Sequence, residues 1–66
     1  MHLIKTKIID GVHYALIAKK AWGKNEYYYA IISSHPNAPD ELFRTIQLPN
    51  ALKYFDAIGT QQVVEL

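Results

Sequence analysis

The run LIKTKIIDGVHYALIAKK, residues 3–20, decides the fold because it has the pattern of two strands joined by a tight turn. Polar and apolar residues alternate on both sides of Asp10-Gly11. A two-residue loop of type I′ needs a positive φ at both of its positions, and Asp-Gly is among the pairs that adopt it most readily. The stretch therefore predicts a β-hairpin that turns at Asp10-Gly11.

Further turns and a third strand follow this hairpin. The segment Trp22-Gly23-Lys24-Asn25 contains the permissive residues of a second turn. The run EYYYAIIS, residues 26–33, is rich in residues that favour strands. The next segment, SHPNAPD at residues 34–40, has the proline, asparagine and aspartate content of a loop.

The last third of the chain predicts a helix between two extended segments. Residues 41–48, ELFRTIQL, fit either a fourth strand or a short helical turn entered at Pro39, and Thr45 and Ile46 favour the strand. Residues 48–59, LPNALKYFDAIG, fit a helix with Pro49 at its first position and Gly59 as its stop. Its apolar stripe consists of Leu48, Leu52, Phe55 and Ile58. Residues 61–66, QQVVEL, predict a final strand.

The order β-β-β-(β)-α-β predicts a single small α+β domain over residues 1–66. We expect an antiparallel meander of three to five strands with one helix packed on one face. A chain of 66 residues has a small margin of stability, and this one has no cysteine to form disulfides. Association with a second copy, as a homodimer, is therefore one expected source of stability.

The composition leads us to expect a cytoplasmic protein. The chain has no cysteine, as suits a reducing compartment. No apolar run approaches the ~20 residues that span a bilayer, and the first residues lack the apolar region of a signal peptide. We therefore expect no membrane association.

The net charge of +1 hides an uneven distribution. Residues 1–24 contain five lysines and one aspartate, whereas residues 25–66 contain two basic and five acidic residues. The first part of the chain is therefore the place to look for an anionic partner, although lysines on a solvated sheet face explain the pattern equally well.

Turn length determines which side chains share a face of the sheet. Asp10-Gly11 places Lys7 opposite Tyr14, and a second turn centred on Gly23-Lys24 places Lys20 opposite Tyr27. One face is then mostly small and aliphatic, and we expect the helix to cover it. It carries Ile4, Thr6, Ile8, His13, Ala15, Ile17, Tyr28, Ala30 and Ile32.

The opposite face mixes lysines with tyrosines, which is unusual for a sheet surface left to solvent. It carries Lys5, Lys7, Tyr14, Leu16, Lys20, Tyr27, Tyr29 and Ile31. If the second loop had an odd number of residues, Tyr28 would lie on this face, and Tyr27 and Tyr29 would lie on the face under the helix. The predicted partner-binding residues are Lys5, Lys7, Tyr14, Lys20, Tyr27 and Tyr29, with Trp22 and Lys24 at the rim.

Two kinds of macromolecular partner fit these residues. Tyrosine and tryptophan are frequent anchors of protein interfaces, which favours a protein or nucleoprotein partner. Lysines beside aromatic rings are also typical of proteins that bind DNA or RNA directly. The single arginine, Arg44, and an isoelectric point near 8.0 disfavour this alternative.

The candidate catalytic side chains do not form a recognisable set. Ser33, Ser34 and His35 are consecutive, and Asp40 and Glu41 are adjacent in a predicted loop. The three histidines lack the spacing of metal ligands, and the glycines do not form a phosphate-binding loop. We therefore expect a non-catalytic protein without a metal or cofactor.

The run FRTIQLPNALKYFDAIGTQQVVEL, residues 43–66, resembles the endings of many short open reading frames of phages and plasmids. The similarity is carried by Arg44-Thr45, a short helix with Leu48, Ala51, Leu52, Tyr54 and Phe55, then Ile58-Gly59 and Val63-Val64. Such proteins are accessory factors of mobile elements that regulate replication or transcription, or inhibit host machinery. The resemblance implies a small inhibitor or modulator that acts by binding, and it assigns no functional residue.

Overall fold

The computed structural model describes residues 1–21, 23 and 26–59, and it has the predicted α+β architecture. The strands are β1 (His2–Ile9), β2 (Val12–Lys20), β3 (Tyr27–Ser33) and β4 (Phe43–Thr45), followed by helix α1 (Leu48–Ala57). The strands form one antiparallel sheet in the order β1-β2-β3-β4. The strand predicted at residues 61–66 lies outside the described residues.

The first hairpin is confirmed in its position and its turn geometry. Asp10 and Gly11 have φ angles of 52° and 81°, the left-handed pair that a type I′ turn requires. Ile9 pairs with Val12, and the predicted pairing of Lys7 with Tyr14 is present. The second predicted register is also confirmed, because Lys20 pairs with Tyr27.

A β-bulge near the start of β1 was not predicted. Leu3 pairs with Ile17 and Lys5 with Leu16, so β1 contains one residue more than β2 over this stretch. The extra residue is Ile4. As a result Leu3 shares the face of Ile17, whereas uninterrupted alternation would have placed it on the face of Lys5.

The ambiguous segment at residues 41–48 contains a strand at its centre. Phe43 pairs with Ile31 and Thr45 with Tyr29, while the backbone N–H of Leu42 donates to the Ile31 carbonyl at 2.7 Å. The helix begins at Leu48 after the N-cap residue Gln47, so Pro49 is its second residue and not its first as predicted. The helix ends at Ala57, and it is followed by the C-cap residue Ile58 and then by Gly59, whose φ of 87° is the left-handed conformation typical of the residue after a C-cap.

The prediction of which face the helix covers is wrong. The core consists of Leu16 and Ile31 from the sheet with Ala51 and Phe55 from the helix. The partly buried residues around it are Tyr14, Tyr29, Leu42, Phe43, Leu52 and Ile58. Helix α1 therefore lies on the face that carries the lysines and tyrosines, which was predicted to be bare.

Side-chain size explains this choice of face. The Lys/Tyr side offers Leu16, Ile31 and two tyrosine rings, which bury more apolar area than the small residues opposite. Phe43 extends this face onto β4 and stacks on Tyr54 of the helix, with ring centroids 4.2 Å apart. Of the lysines on this face, Lys7 extends past the apolar centre to the helix backbone and Lys5 extends to the Asp56 side chain, so neither charge is placed in the apolar core.

Candidate functional site

Two of the predicted partner-binding lysines hold the end of the helix. The ammonium group of Lys7 donates to the carbonyl oxygens of Phe55 at 2.8 Å and Ile58 at 3.1 Å. The same group lies 4.9 Å from the centroid of the Phe55 ring. Lys5 forms an ion pair with Asp56, 3.0 Å from its Oδ1 atom. Both cations lie at the negative end of the helix dipole, where positive charge is stabilising.

The predicted tyrosines divide between the core and the surface. Tyr14 and Tyr29 pack against the core under the helix, so neither lies on an open binding face. Tyr27 remains 48% exposed, and Lys20, its partner across the strands, is exposed as well. The predicted rim residues Trp22 and Lys24 lie outside the described residues. The structure thus brings together Lys20 and Tyr27 at the end of the sheet next to the second turn.

A charged cluster that sequence reasoning missed surrounds Tyr28, at the β4 edge of the sheet. Tyr28 does not point into the core as predicted, but lies on the face away from the helix. Its ring lies 4.4 Å from the Arg44 guanidinium and 5.8 Å from the Lys19 ammonium. Glu41 accepts hydrogen bonds from Arg44 at 2.8 Å, Lys19 at 3.4 Å and the Tyr28 hydroxyl at 3.5 Å.

The electrostatics of this cluster favour its charged state. The hydrogen bond from Arg44 holds the pKa of the Glu41 carboxyl below its usual range, and Lys19 lowers it further, although partial burial acts against both. Tyr28 and then Glu41 raise the pKa of Lys19. The Glu41 side chain is only 16% exposed, so this carboxylate ties the loop before β4 to strands β2 and β3. The three-residue spacing of Glu41 and Arg44 was the available sequence signal.

The face of the sheet away from the helix, which we call the open face, is apolar for most of its width. Leu3, Ile4 and Ile8 are 64%, 37% and 62% exposed, whereas Ile17 and Ala30, which pair with each other on this face, are buried. A shallow groove of about 300 Å³ lies at the end next to the first hairpin turn. Its lining includes Thr6, Ile8, His13, Ala15, Ile32 and Ser34.

The candidate catalytic side chains of residues 33–35 accept hydrogen bonds from backbone N–H groups instead of binding one another. The Ser33 Oγ atom accepts from the His35 N–H at 3.1 Å, and the Ser34 Oγ atom accepts from the His13 N–H at 3.0 Å. The His35 Nδ1 atom accepts from the Asn37 N–H at 3.1 Å. Within residues 1–21, 23 and 26–59, no three histidine or acidic side chains come close enough together to hold a metal ion.

The part of the chain that the structure describes contains no helix long and apolar enough to cross a membrane. Comparisons with family models, with curated proteins and with solved structures found no match to this chain.

Proposed function

We propose that this is a small, non-catalytic binding protein of the cytoplasm, encoded by a mobile element, that modulates or inhibits a protein partner. The observation that carries the proposal is the exposed pair of Lys20 and Tyr27. An aromatic ring that is half exposed on a strand, beside a cation, is typical of the anchors of protein interfaces. The protein also associates with a second copy of itself, through a surface other than the one that carries Lys20 and Tyr27.

The internal contacts of the lysines favour a protein over a nucleic acid as the partner. Lys5, Lys7 and Lys19 each have a partner within the fold, and so does Arg44. A nucleic-acid surface needs several free cations to neutralise phosphates. Lys20 and Lys53 are the exposed lysines without such a contact among the described residues, and they lie on different elements. A single anchor ring with one cation suits a protein surface better.

The experiment is a capture from lysate with the tagged protein, with and without nuclease, followed by binding measurements on the purified partner. We expect the partner to be retained after nuclease and its affinity to fall by about tenfold or more in Tyr27→Ala. Lys20→Ala should weaken binding less, and Lys53→Ala, an exposed lysine on the helix, is the matched control. Loss of the partner with nuclease, a steep salt dependence and a dominant effect of Lys20→Ala would instead indicate direct nucleic-acid binding.

A further inference from the structure

Strand β1 is the long edge of the sheet, and its outer side has no partner strand among the described residues. The backbone N–H and carbonyl of His13 both bond to Ser34, on the β3 side of β2. Because bonding directions alternate along an antiparallel ladder, its partner Ile8 directs both backbone groups away from β2, and so does Thr6. An edge with such outward N–H and C=O groups is a template for another strand.

Helix α1 delivers the chain to this edge. It begins at Leu48, soon after β4, and its last carbonyls accept hydrogen bonds from Lys7 of β1, so it crosses the sheet from one edge to the other. Gly59 then lies against the side chain of Ile9, the last residue of β1. From that point a segment can follow the edge only back toward Leu3, which is antiparallel to β1.

We infer that residues 60–66, which lie outside the described residues, add to the outer edge of β1 as a fifth, antiparallel strand. The sequence predicts a strand at residues 61–66, and six residues span about 20 Å at the usual rise of a strand. The eight residues of β1 span about 27 Å by the same rise. The segment therefore covers most of the edge and needs no linker beyond Thr60.

Charge determines which side of this strand faces the helix. Alternation separates two sets, which are Gln61, Val63 and Glu65 on one side and Gln62, Val64 and Leu66 on the other. With Glu65 on the helix side, its carboxylate lies next to Lys5, and Val64 and Leu66 extend the apolar surface beside the exposed Ile8. The opposite placement would set the carboxylate on the apolar open face.

This orientation predicts a register. With Gln61 opposite Ile9, Val64 lies opposite Thr6 and forms a hydrogen-bonded pair with it, because the backbone groups of Thr6 point outward. Val63 lies between these positions, and its own N–H points away from β1 toward solvent. The two adjacent valines therefore differ in their backbone bonding.

Amide hydrogen exchange of the full chain, followed by NMR, tests the inference. We expect the N–H groups of Thr6 and Ile8 to exchange at least about tenfold more slowly than in an unstructured chain. Val64→Pro removes the N–H that donates to Thr6 and should return both amides to rapid exchange. Val63→Pro is the matched control and should keep their protection, because proline is tolerated on an edge strand where the N–H faces solvent.

Protection of the Lys7 amide, which points to β2, shows that each variant is folded. Rapid exchange of Thr6 and Ile8 in the wild type would overturn the inference, and so would equal effects of the two prolines. Protection that rises with protein concentration and survives Val64→Pro would assign the edge to a second copy of the chain and would also overturn it.

Discussion

Lys7 and Phe55, which are 48 positions apart, meet twice: the lysine ammonium donates to the Phe55 carbonyl oxygen at 2.8 Å and lies 4.9 Å from the centre of its ring. The same ammonium donates to the Ile58 carbonyl oxygen. One side chain of the first strand therefore donates to two carbonyl oxygens at the end of the helix, and the Phe55 carbonyl also accepts from the backbone N–H of Ile58 at 3.2 Å.

Replacing this lysine should weaken the fold. Lys7→Met keeps the apolar stem but removes both hydrogen bonds and the charge over the ring, so we expect a loss of about 1–2 kcal/mol in the free energy of unfolding. Urea denaturation measures it. Lys20→Met, an exposed lysine on the neighbouring strand, is the control and should change stability by less than about 0.5 kcal/mol. Equal losses in the two variants would contradict the role given to Lys7.

Gly59 should be intolerant of any side chain. Its φ of 87° is strained for other residues, and a Cβ atom added there would collide with the side chain of Ile9. Gly11 has a similar φ of 81° but open space around it, so Gly11→Ala carries the backbone strain alone. We expect Gly59→Ala to lower the free energy of unfolding by more than Gly11→Ala, which should itself cost about 1 kcal/mol. Thermal or urea unfolding of the pair decides this, and the opposite order would be evidence against close packing of the helix end on β1.

Two adjacent isoleucines on β3 test which face the helix covers. Ile31 is completely buried in the core, whereas Ile32 lies half-buried on the open face. Ile31→Val should therefore cost about 1 kcal/mol, and Ile32→Val should be close to neutral at concentrations where the protein is monomeric. The two substitutions remove the same methylene group, so each serves as the control for the other. A larger loss of stability in Ile32→Val than in Ile31→Val would indicate that the helix covers the other face of the sheet.

Glu41 should make stability depend on acid pH. The folded protein holds the pKa of this carboxyl below the usual 4.5, so folding favours its ionised form. That stabilisation is fully present above about pH 4.5 and is lost as the pH falls through the lower value in the folded state. Glu41→Gln should consequently be less stable than the wild type at neutral pH, and the difference should shrink as the solution becomes acidic.

Urea denaturation from neutral to acidic pH measures this difference. Glu26→Gln, an exposed glutamate before β3, is the control, and its difference from the wild type should stay small throughout. A Glu41→Gln deficit that is constant with pH would show that the carboxylate does not carry the effect.

Much of the fold could be predicted from local chemistry. Asp10-Gly11 fixed the first turn, even turn lengths fixed both registers, and Gly59 fixed the end of the helix. Each of these signals depends on one or two residues whose backbone preferences are strong. The helix itself was marked by an apolar stripe that includes Phe55.

Which face of the sheet the helix covers could not be predicted from these local signals. Periodicity separates two faces but does not rank them, and the mostly small and aliphatic residues of the other face favoured that face as the one under the helix. Lys7 instead reaches two helix carbonyls and Lys5 reaches Asp56, which are contacts between distant parts of the chain that no local pattern reveals. Phe43 would have indicated the correct face, but its strand was uncertain and it was not assigned to either side.

The candidate site was affected by this error more than the fold was. Lys7 and Tyr14 were correctly placed on one face and then interpreted as a surface, although they contact the helix. The bulge at Leu3–Lys5 also had no marker in the sequence, and it alone brings Leu3 to the open face. The residues around Glu41 were missed because the cluster combines a loop carboxylate with side chains from three strands.

The lysine bonds to the helix end also bear on how the chain acquires its structure. They join positions 48 and 51 residues apart, so the first strand cannot complete its contacts until the helix has been synthesised. Such distant pairings give a high contact order, which slows the search for the native topology relative to helical proteins of equal length. The first hairpin has a short loop, and we therefore expect folding to nucleate there. Docking of the helix on the sheet is then the step that commits the chain to its native topology.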